Sequence, residues 1–362
     1  MYLLIIFTPI LINTTKHMKN LLSLLFLMFL PCIGFSAIIN VDNNPNRPPG
    51  YYDNLQLAIN NASAGDTIYV YPSGASYGNI TILKKLHLFG PGYNGTLSSV
   101  ARIEKLMLDT ATSPASNSSG STIQGFSFAS KITCLKQGII NIIISGNYFN
   151  SGSCIIELSG SCSNWLISNN YIKGYIQLAY NLNIIISNNV FSTYYDPVRD
   201  ASSPSVMITH NLFMNFEKFS SLSNAVISNN IFICKSAYTS GGMSNNIFLN
   251  NLSYRDGVLN DYDLPPSGNS GSGNLSNTNP SFVNGTLTGH YDQTKDYHLQ
   301  SSSPAKNAAT DGTDIGQYGG VAPFVWGGGF TIPRITSTTI TNPVINQSTP
   351  VNVNVKANKA KL

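Results

Sequence analysis

Six segments of the chain carry one pattern, and that pattern limits the folds open to it more than any other feature. They are Ile144-Ser145-Gly146-Asn147-Tyr148-Phe149, Ile167-Ser168-Asn169-Asn170-Tyr171-Ile172 and Ile186-Ser187-Asn188-Asn189-Val190-Phe191. Ile208-Thr209-His210-Asn211-Leu212-Phe213, Ile227-Ser228-Asn229-Asn230-Ile231-Phe232 and Met243-Ser244-Asn245-Asn246-Ile247-Phe248 follow. The last Asn of each falls at Asn147, Asn170, Asn189, Asn211, Asn230 and Asn246, with steps of 23, 19, 22, 19 and 16 residues. A fixed period of this size marks a stacked repeat architecture.

The two apolar ends of each segment lie five residues apart. In a single straight strand an odd separation puts them on opposite faces. Both need burial, so the chain must bend between them. The bend falls on the Asn positions, and Asn tolerates the left-handed backbone that a tight corner requires. Two short strands meeting at an Asn corner make one coil of a solenoid. One coil cannot bury its apolar side alone; coils stacked about 4.8 Å apart bury a continuous core. Equivalent Asn side chains then stack, each amide donating to the next. Parallel crossovers are right-handed in nearly all cases. The expectation is an all-β chain forming a right-handed parallel β-helix. A leucine-rich repeat has a similar period, but its Leu spacing is absent, and a propeller blade needs about 40 residues.

Composition agrees with a paired, neutral β-structure. Charged residues make up 10% of the 362-residue chain and hydrophobic residues 42%, against roughly 25% charged in ordinary soluble domains. That combination excludes a disordered chain. The net charge is +4, and no Lys/Arg stripe exists to follow a phosphate backbone, which argues against nucleic acid as a partner.

Met18-Lys19-Asn20 precedes an apolar run from Leu21 to Leu30 and then Gly34-Phe35-Ser36-Ala37. That is the order of a signal peptide, with cleavage after Ser36. Residues 1–36 are therefore read as an export leader whose true start is Met18. The rival reading is a two-segment anchor, but Tyr2 to Ile12 falls short of the about 20 apolar residues a span needs. The mature chain is expected to be secreted or held at the cell surface, without a membrane span, as a monomer. Four cysteines remain after cleavage: Cys134, Cys154, Cys162 and Cys234. Export permits disulfides, and Cys154 with Cys162 closes a small loop. The plainer reading makes all four buried thiols. No C-x-x-C pair exists for zinc.

The solenoid's first open end needs a cap. Leu55, Ala58, Ile59 and Ala62 form one helical stripe, followed by Gly65-Asp66 and the alternating strand Thr67 to Tyr71. L-x-x-A-I-x-x-A-x-x-G-D-T-I-x-V, from Leu55 to Val70, resembles the entry segment of right-handed β-helix proteins of the pectin-lyase-like superfamily. Lys84-x-Leu86-x-Leu88-x-Gly90 resembles their next strand. The exit is also similar: Asn279-Pro280-Ser281-Phe282-Val283, Asp296-Tyr297-His298-Leu299, Ser303-Pro304-Ala305 and Asp311 to Gly316. The resemblance covers roughly residues 50 to 320 and implies the fold, with a β-helix domain over 37–325. The superfamily includes polysaccharide lyases and hydrolases as well as surface proteins. Residues 326–362 form a Thr/Val/Asn-rich tail or the start of a further module, in which Ile335 to Ile340 and Val351 to Val355 are expected to be strands.

The superfamily's catalytic patterns find little here. No Gly-His-Gly occurs, and His210 stands where other corners carry Asn, as a turn residue. Between residues 120 and 250 the acids are Glu157, Asp196, Asp200 and Glu217. Calcium wants six to eight oxygen ligands, so no cofactor or metal is expected. Asp311 and Asp314 suit turn amides better than a cation. Counting from each corner Asn places Tyr175, Tyr194 and Phe216 in one column, with Asp196 and Lys218 paired on adjacent coils beside Arg199. Aromatic faces beside polar groups suit a sugar ring; the alternative is an internal aromatic stack with a surface ion pair. The functional expectation is a secreted or cell-surface, non-catalytic protein that either binds polysaccharide or a surface glycan or serves as a structural adhesin. A polysaccharide lyase or hydrolase built from Asp196, Arg199, Asp200, Glu217 and Lys218 is the alternative.

Overall fold

The computed structural model describes residues 36–358 apart from 95–98, 113–114, 154, 180–181, 194–195, 200–204, 236–241, 258–262, 329–333 and 341–352. The architecture is a parallel β-helix built on two long sheets.

Sheet one holds 11 strands in chain order, from Ile38–Val41 to Ser270–Ser272. Alternation decides its two faces. One in-register column runs from Ile68 through Leu88, Ile123, Ile144, Ile167 and Ile186 to Phe248 and is buried. The residues flanking it point away from the core.

Sheet two has 12 strands. Arg102–Leu108 and Ser127–Cys134 run its full width. Later coils divide that width between two shorter strands, such as Tyr171–Ile172 and Tyr175–Leu178. Phe149, Phe191, Phe213 and Phe232 all point inward from it. Their rings stack between coils: Phe191 on Phe213 at 4.7 Å and Phe213 on Phe232 at 5.0 Å. Spacings near the coil repeat let one aromatic type fill the core in successive layers.

Each corner between the sheets uses two residues for two tasks. Asn169, Asn188, His210, Asn229 and Asn250 take the left-handed backbone, with φ between 50° and 58°. The next residue, Asn170, Asn189, Asn211, Asn230 or Asn251, turns inward and is wholly buried. Asn170 shows the pattern. Its Nδ2 donates to Asn189 Oδ1 at 3.0 Å and to the Ile144 carbonyl at 3.0 Å. Its Oδ1 accepts from Asn147 Nδ2 at 3.1 Å and Asn147 N at 2.9 Å. All of the amide's capacity is used, as burial demands. The chain of amides continues through Asn211, Asn230, Asn251 and Asn274.

Asn246 does not join this column, which corrects the repeat as read from sequence. Its Nδ2 donates to Asn269 Oδ1 at 2.8 Å, and its Oδ1 accepts from Ala225 N. It lies at the opposite end of its strand, where the chain enters sheet one. That corner uses the same chemistry, so Met243 to Phe248 copies the motif at another place. The step from Asn230 to its true successor Asn251 is 21 residues, which removes the anomalous step of 16.

The capping helix spans Leu55–Asn61, with Asn54 Oδ1 accepting from Leu57 N at its start. Leu55, Ala58 and Ile59 are buried against the first coils. Asp66 stays buried because its carboxylate accepts from Ala37 N and Ser63 N, both at 2.8 Å.

After the last coil, residues 276–328 leave the solenoid and run back along its outside as a strap. Sheet two's outer face is apolar under this strap: Tyr171, Val190, Leu212 and Ile231 meet Phe282, Tyr291, Tyr297, Ile315 and Trp326 in a second core. Beyond it, Arg334–Ile340 and Val353–Asn358 pair antiparallel.

Candidate functional site

The half of sheet two that the strap leaves uncovered carries charged and polar side chains from successive coils. Two in-register columns face outward. One runs Lys105, Lys131, Ile155, Tyr175. The other runs Glu157, Gln177, Arg199 and ends beside Ser220, while Thr133, next to Glu157 in that register, is wholly buried. Parallel strands about 4.8 Å apart make this a ribbon of side chains along the helix axis. Lys131 and Glu157 form an ion pair at 2.9 Å.

At the end of the ribbon Arg199 lies flat over Tyr175, its guanidinium carbon 3.3 Å from the ring centroid. The two residues are diagonal neighbours on adjacent coils, within reach for long side chains. The stack fixes the guanidinium plane and is worth about 1 kcal/mol. The Arg199 side chain makes no ion pair or hydrogen bond with the described residues, and its Nε is buried without a partner. Asp196 stands nearby, where its carboxylate accepts a hydrogen bond from the Ser220 hydroxyl.

The structure therefore brings Tyr175, Arg199 and Asp196 to one face and corrects the rest of the predicted column. Phe216 is 3% exposed and packs inside the core against Phe213, Phe219 and Phe232. Asp196 and Lys218 form no ion pair. Tyr194 and Asp200 lie outside the described residues. The physical reason is an unequal arc. Ile176, six residues past Asn170, pairs with Val198, nine past Asn189. The turn before Val198 holds three extra residues, so a fixed count from the corner lands on non-equivalent positions. A register shift between Phe213 and Phe216 then turns Phe216 inward. Ser220 was missed for the same reason: only the pairing of Arg199 with Ser220 reveals it.

A second concavity lies on sheet one, a groove of about 560 Å³ between its outer face and the strap. Ile185, Met207 and Val226 form its floor beside a hydroxyl column of Ser168, Ser187, Thr209 and Ser228. His210, at its wall, is buried to 5% exposure. Its Nδ1 meets Thr209 Oγ1 at 3.0 Å, and its Nε2 lies 3.3 Å from Thr313 Oγ1 and 3.6 Å from Asp311. Burial pushes its pKa below the ordinary value, while Asp311 pulls it back only in part. His210 is a left-handed corner residue whose ring also holds the strap. Asp311 hydrogen-bonds the Thr313 amide and hydroxyl, and Asp314 accepts from Asn307 N and from Lys306. Among the described residues no group of His, Cys, Asp and Glu could hold a metal ion, and no helix is long and apolar enough to cross a membrane.

The sheet topology defines the chain as a parallel β-helix protein. Among solved structures it is similar to pectate lyase Pel9A, with a TM-score of 0.40 and 14% identity over 79% of this chain and 97% of that one. No protein-family model matches the sequence, and no curated protein does.

Proposed function

We propose that the protein is exported and binds an acidic glycan, without turning it over, along the uncovered face of sheet two. The observation that carries this reading is Arg199, pinned flat on Tyr175 with its terminal nitrogens unengaged by the described residues. A planar guanidinium held this way presents its N–H edge to a carboxylate, which it binds through two parallel hydrogen bonds. The columns beside it offer Gln177, Ser220 and the Lys131–Glu157 pair to the hydroxyls of neighbouring sugar units. Two acids facing one sugar position would suit hydrolysis; here Glu157 is tied to Lys131 and Asp196 to Ser220.

Titration calorimetry with polygalacturonate and alginate oligosaccharides tests the reading. Arg199→Ala is expected to weaken binding at least tenfold, about 1.4 kcal/mol, and Arg199→Lys to recover part of it. Rising salt should weaken the wild type, as for any exposed charge pairing. Ultraviolet absorbance of unsaturated products, or release of reducing ends, would replace the binder with an enzyme. Unchanged affinity in Arg199→Ala, with loss in Met207→Glu, would move binding to the sheet-one groove and overturn the assignment to Arg199.

A further inference from the structure

Two cysteines from consecutive coils meet inside the solenoid, and nothing in the glycan-binding face uses them. Cys134 ends the strand Ser127–Cys134, and Cys162 directly precedes Ser163–Ser168. Their sulfurs lie 2.9 Å apart and both side chains are buried, at 0% and 1% exposure. Both Sγ atoms also approach the Lys136 carbonyl, at 3.6 and 3.7 Å.

The backbone holds them there independently of the thiols. The Cys134 carbonyl accepts from Ser159 N at 3.0 Å and Gly160 N at 3.3 Å, and Gly138 N donates to the Ser161 carbonyl at 3.1 Å. Gly160 sits so close to the Lys136 carbonyl that a Cβ there would lie 2.2 Å from its oxygen. The two segments are thus locked side by side. A disulfide has S–S of about 2.05 Å, so a sulfur shift under about 1 Å closes the bond.

We propose that Cys134 and Cys162 are joined by a disulfide in the mature protein, clamping one coil to the next. In forming it, the Cys134 thiolate attacks a disulfide of the oxidant, a thiol–disulfide oxidase or glutathione disulfide. The mixed disulfide is then resolved by Cys162. Two cysteine thiols lose two protons and two electrons; the oxidant's disulfide gains both and leaves as two thiols. The hydrogen bond from Cys162 holds the Cys134 thiol below its ordinary pKa, which favours it as the attacking sulfur. Because both sulfurs are buried, the bond forms while the coils are still closing, and the folded protein shields it from reductant. Cys154, the other candidate partner for Cys162, lies outside the described residues.

Peptide mapping of the full chain, folded in a glutathione redox buffer and digested without reduction, tests this. Trypsin with a Glu-specific protease separates all three thiols, since Lys131, Lys136, Glu157 and Lys173 lie between or beside them. The expected product links 132–136 to 158–173 and falls apart on reduction. Wild-type protein unfolded, reduced and refolded in reductant should also melt at a lower Tm than the oxidised protein, while the same treatment leaves the Tm of Cys162→Ser unchanged. Free, alkylatable Cys134 and Cys162 in the folded protein, or a link from Cys162 to 137–157, would overturn the proposal. The glycan-binding reading stands or falls separately, on the Arg199 variants.

Discussion

Asn188 holds Gly319 across 131 residues of chain: its side-chain amide donates to the Gly319 carbonyl at 2.8 Å and to the Gln317 carbonyl at 3.1 Å. The same column repeats the device. Asn250 donates to the Ala308 carbonyl. Asn229 donates to Thr310 Oγ1 and accepts from Thr310 N. Asn169 donates to the Ala322 carbonyl and accepts from Val325 N. A left-handed corner points its side chain out of the solenoid while the following Asn points in. The Asn pair therefore binds the coils together on one side and the strap on the other.

Two substitutions at one position separate these tasks. Asn188→Gly keeps the left-handed backbone, since Gly adopts it freely, and loses only the strap bonds. Asn188→Ala loses the bonds and, unlike Gly, keeps a Cβ in the left-handed region without the polar side chain that lets Asn tolerate it, at about 1–2 kcal/mol. Chemical denaturation is expected to order them wild type, then Gly, then Ala. Hydrogen exchange should quicken around residues 317–322 in both variants. Equal stability for Gly and Ala would contradict a left-handed corner at 188.

The inward column predicts a larger loss. Asn189 gives its amide to Asn211 Oδ1 and the Ile167 carbonyl, and receives Asn170 N and Nδ2. Asn189→Asp replaces two donated bonds with a buried charge facing two acceptors. Leaving buried groups unpaired costs about 1–3 kcal/mol each, more where a charge is involved. The expected loss is above about 3 kcal/mol, read from the urea midpoint at neutral pH. Asn246→Asp should be costly too, because Asn246 occupies a comparable buried column at the other corner.

These corners were legible because the odd Ile-to-Phe spacing admits only a bend, a local argument that needs no partner. Asn246 was misplaced because the identical local chemistry serves a second corner, and only strand pairing tells the two apart. The entry helix was legible from the stripe Leu55, Ala58, Ile59. The Arg199 face was half legible. Residue types and coil neighbours could be read, but the three extra residues before Val198 change no composition that a repeat count detects. The strap's seat was legible only as a need for cover. The adjacent apolar pairs Tyr171-Ile172, Val190-Phe191, Leu212-Phe213 and Ile231-Phe232 break simple alternation and mark strands buried on both faces, but the anchors that bring Phe282 and Tyr297 over them are single side chains from 58 to 156 residues away.

The aromatic stack gives a test of the core itself. Phe213 contacts the rings of Phe191, Phe216, Phe219 and Phe232 and is 1% exposed. Phe213→Ala leaves a cavity between two rigid coils that cannot collapse, because the backbone ladder fixes their separation. Loss of about 3–5 kcal/mol is expected, and Phe213→Leu should recover more than half of it. Phe216→Ala is expected to destabilise as a core substitution and leave glycan affinity unchanged. A selective loss of affinity there would restore Phe216 to the binding face.

Burial of His210 under the strap predicts that the strap's attachment depends on pH. Burial lowers its pKa in the folded state below the ordinary 6.5, so the unfolded chain takes up the proton first. Stability from the neutral ring is fully present above about pH 6.5 and is lost as pH falls from there toward the folded-state value. The partial pull of Asp311 narrows that window without reversing its sign. His87 and His290 are lowered by burial as well and add the same slope. His210→Asn installs the residue that serves at neighbouring corners, keeps a left-handed turn and removes one titrating group. Denaturation midpoints measured between about pH 7.5 and about pH 5 should therefore fall less steeply in His210→Asn, by up to about one proton's worth of slope. Hydrogen exchange in residues 310–320 should quicken on acidification in the wild type more than in the variant. A wild-type stability that rises on acidification over this range would mean that Asp311, and not burial, governs the ring.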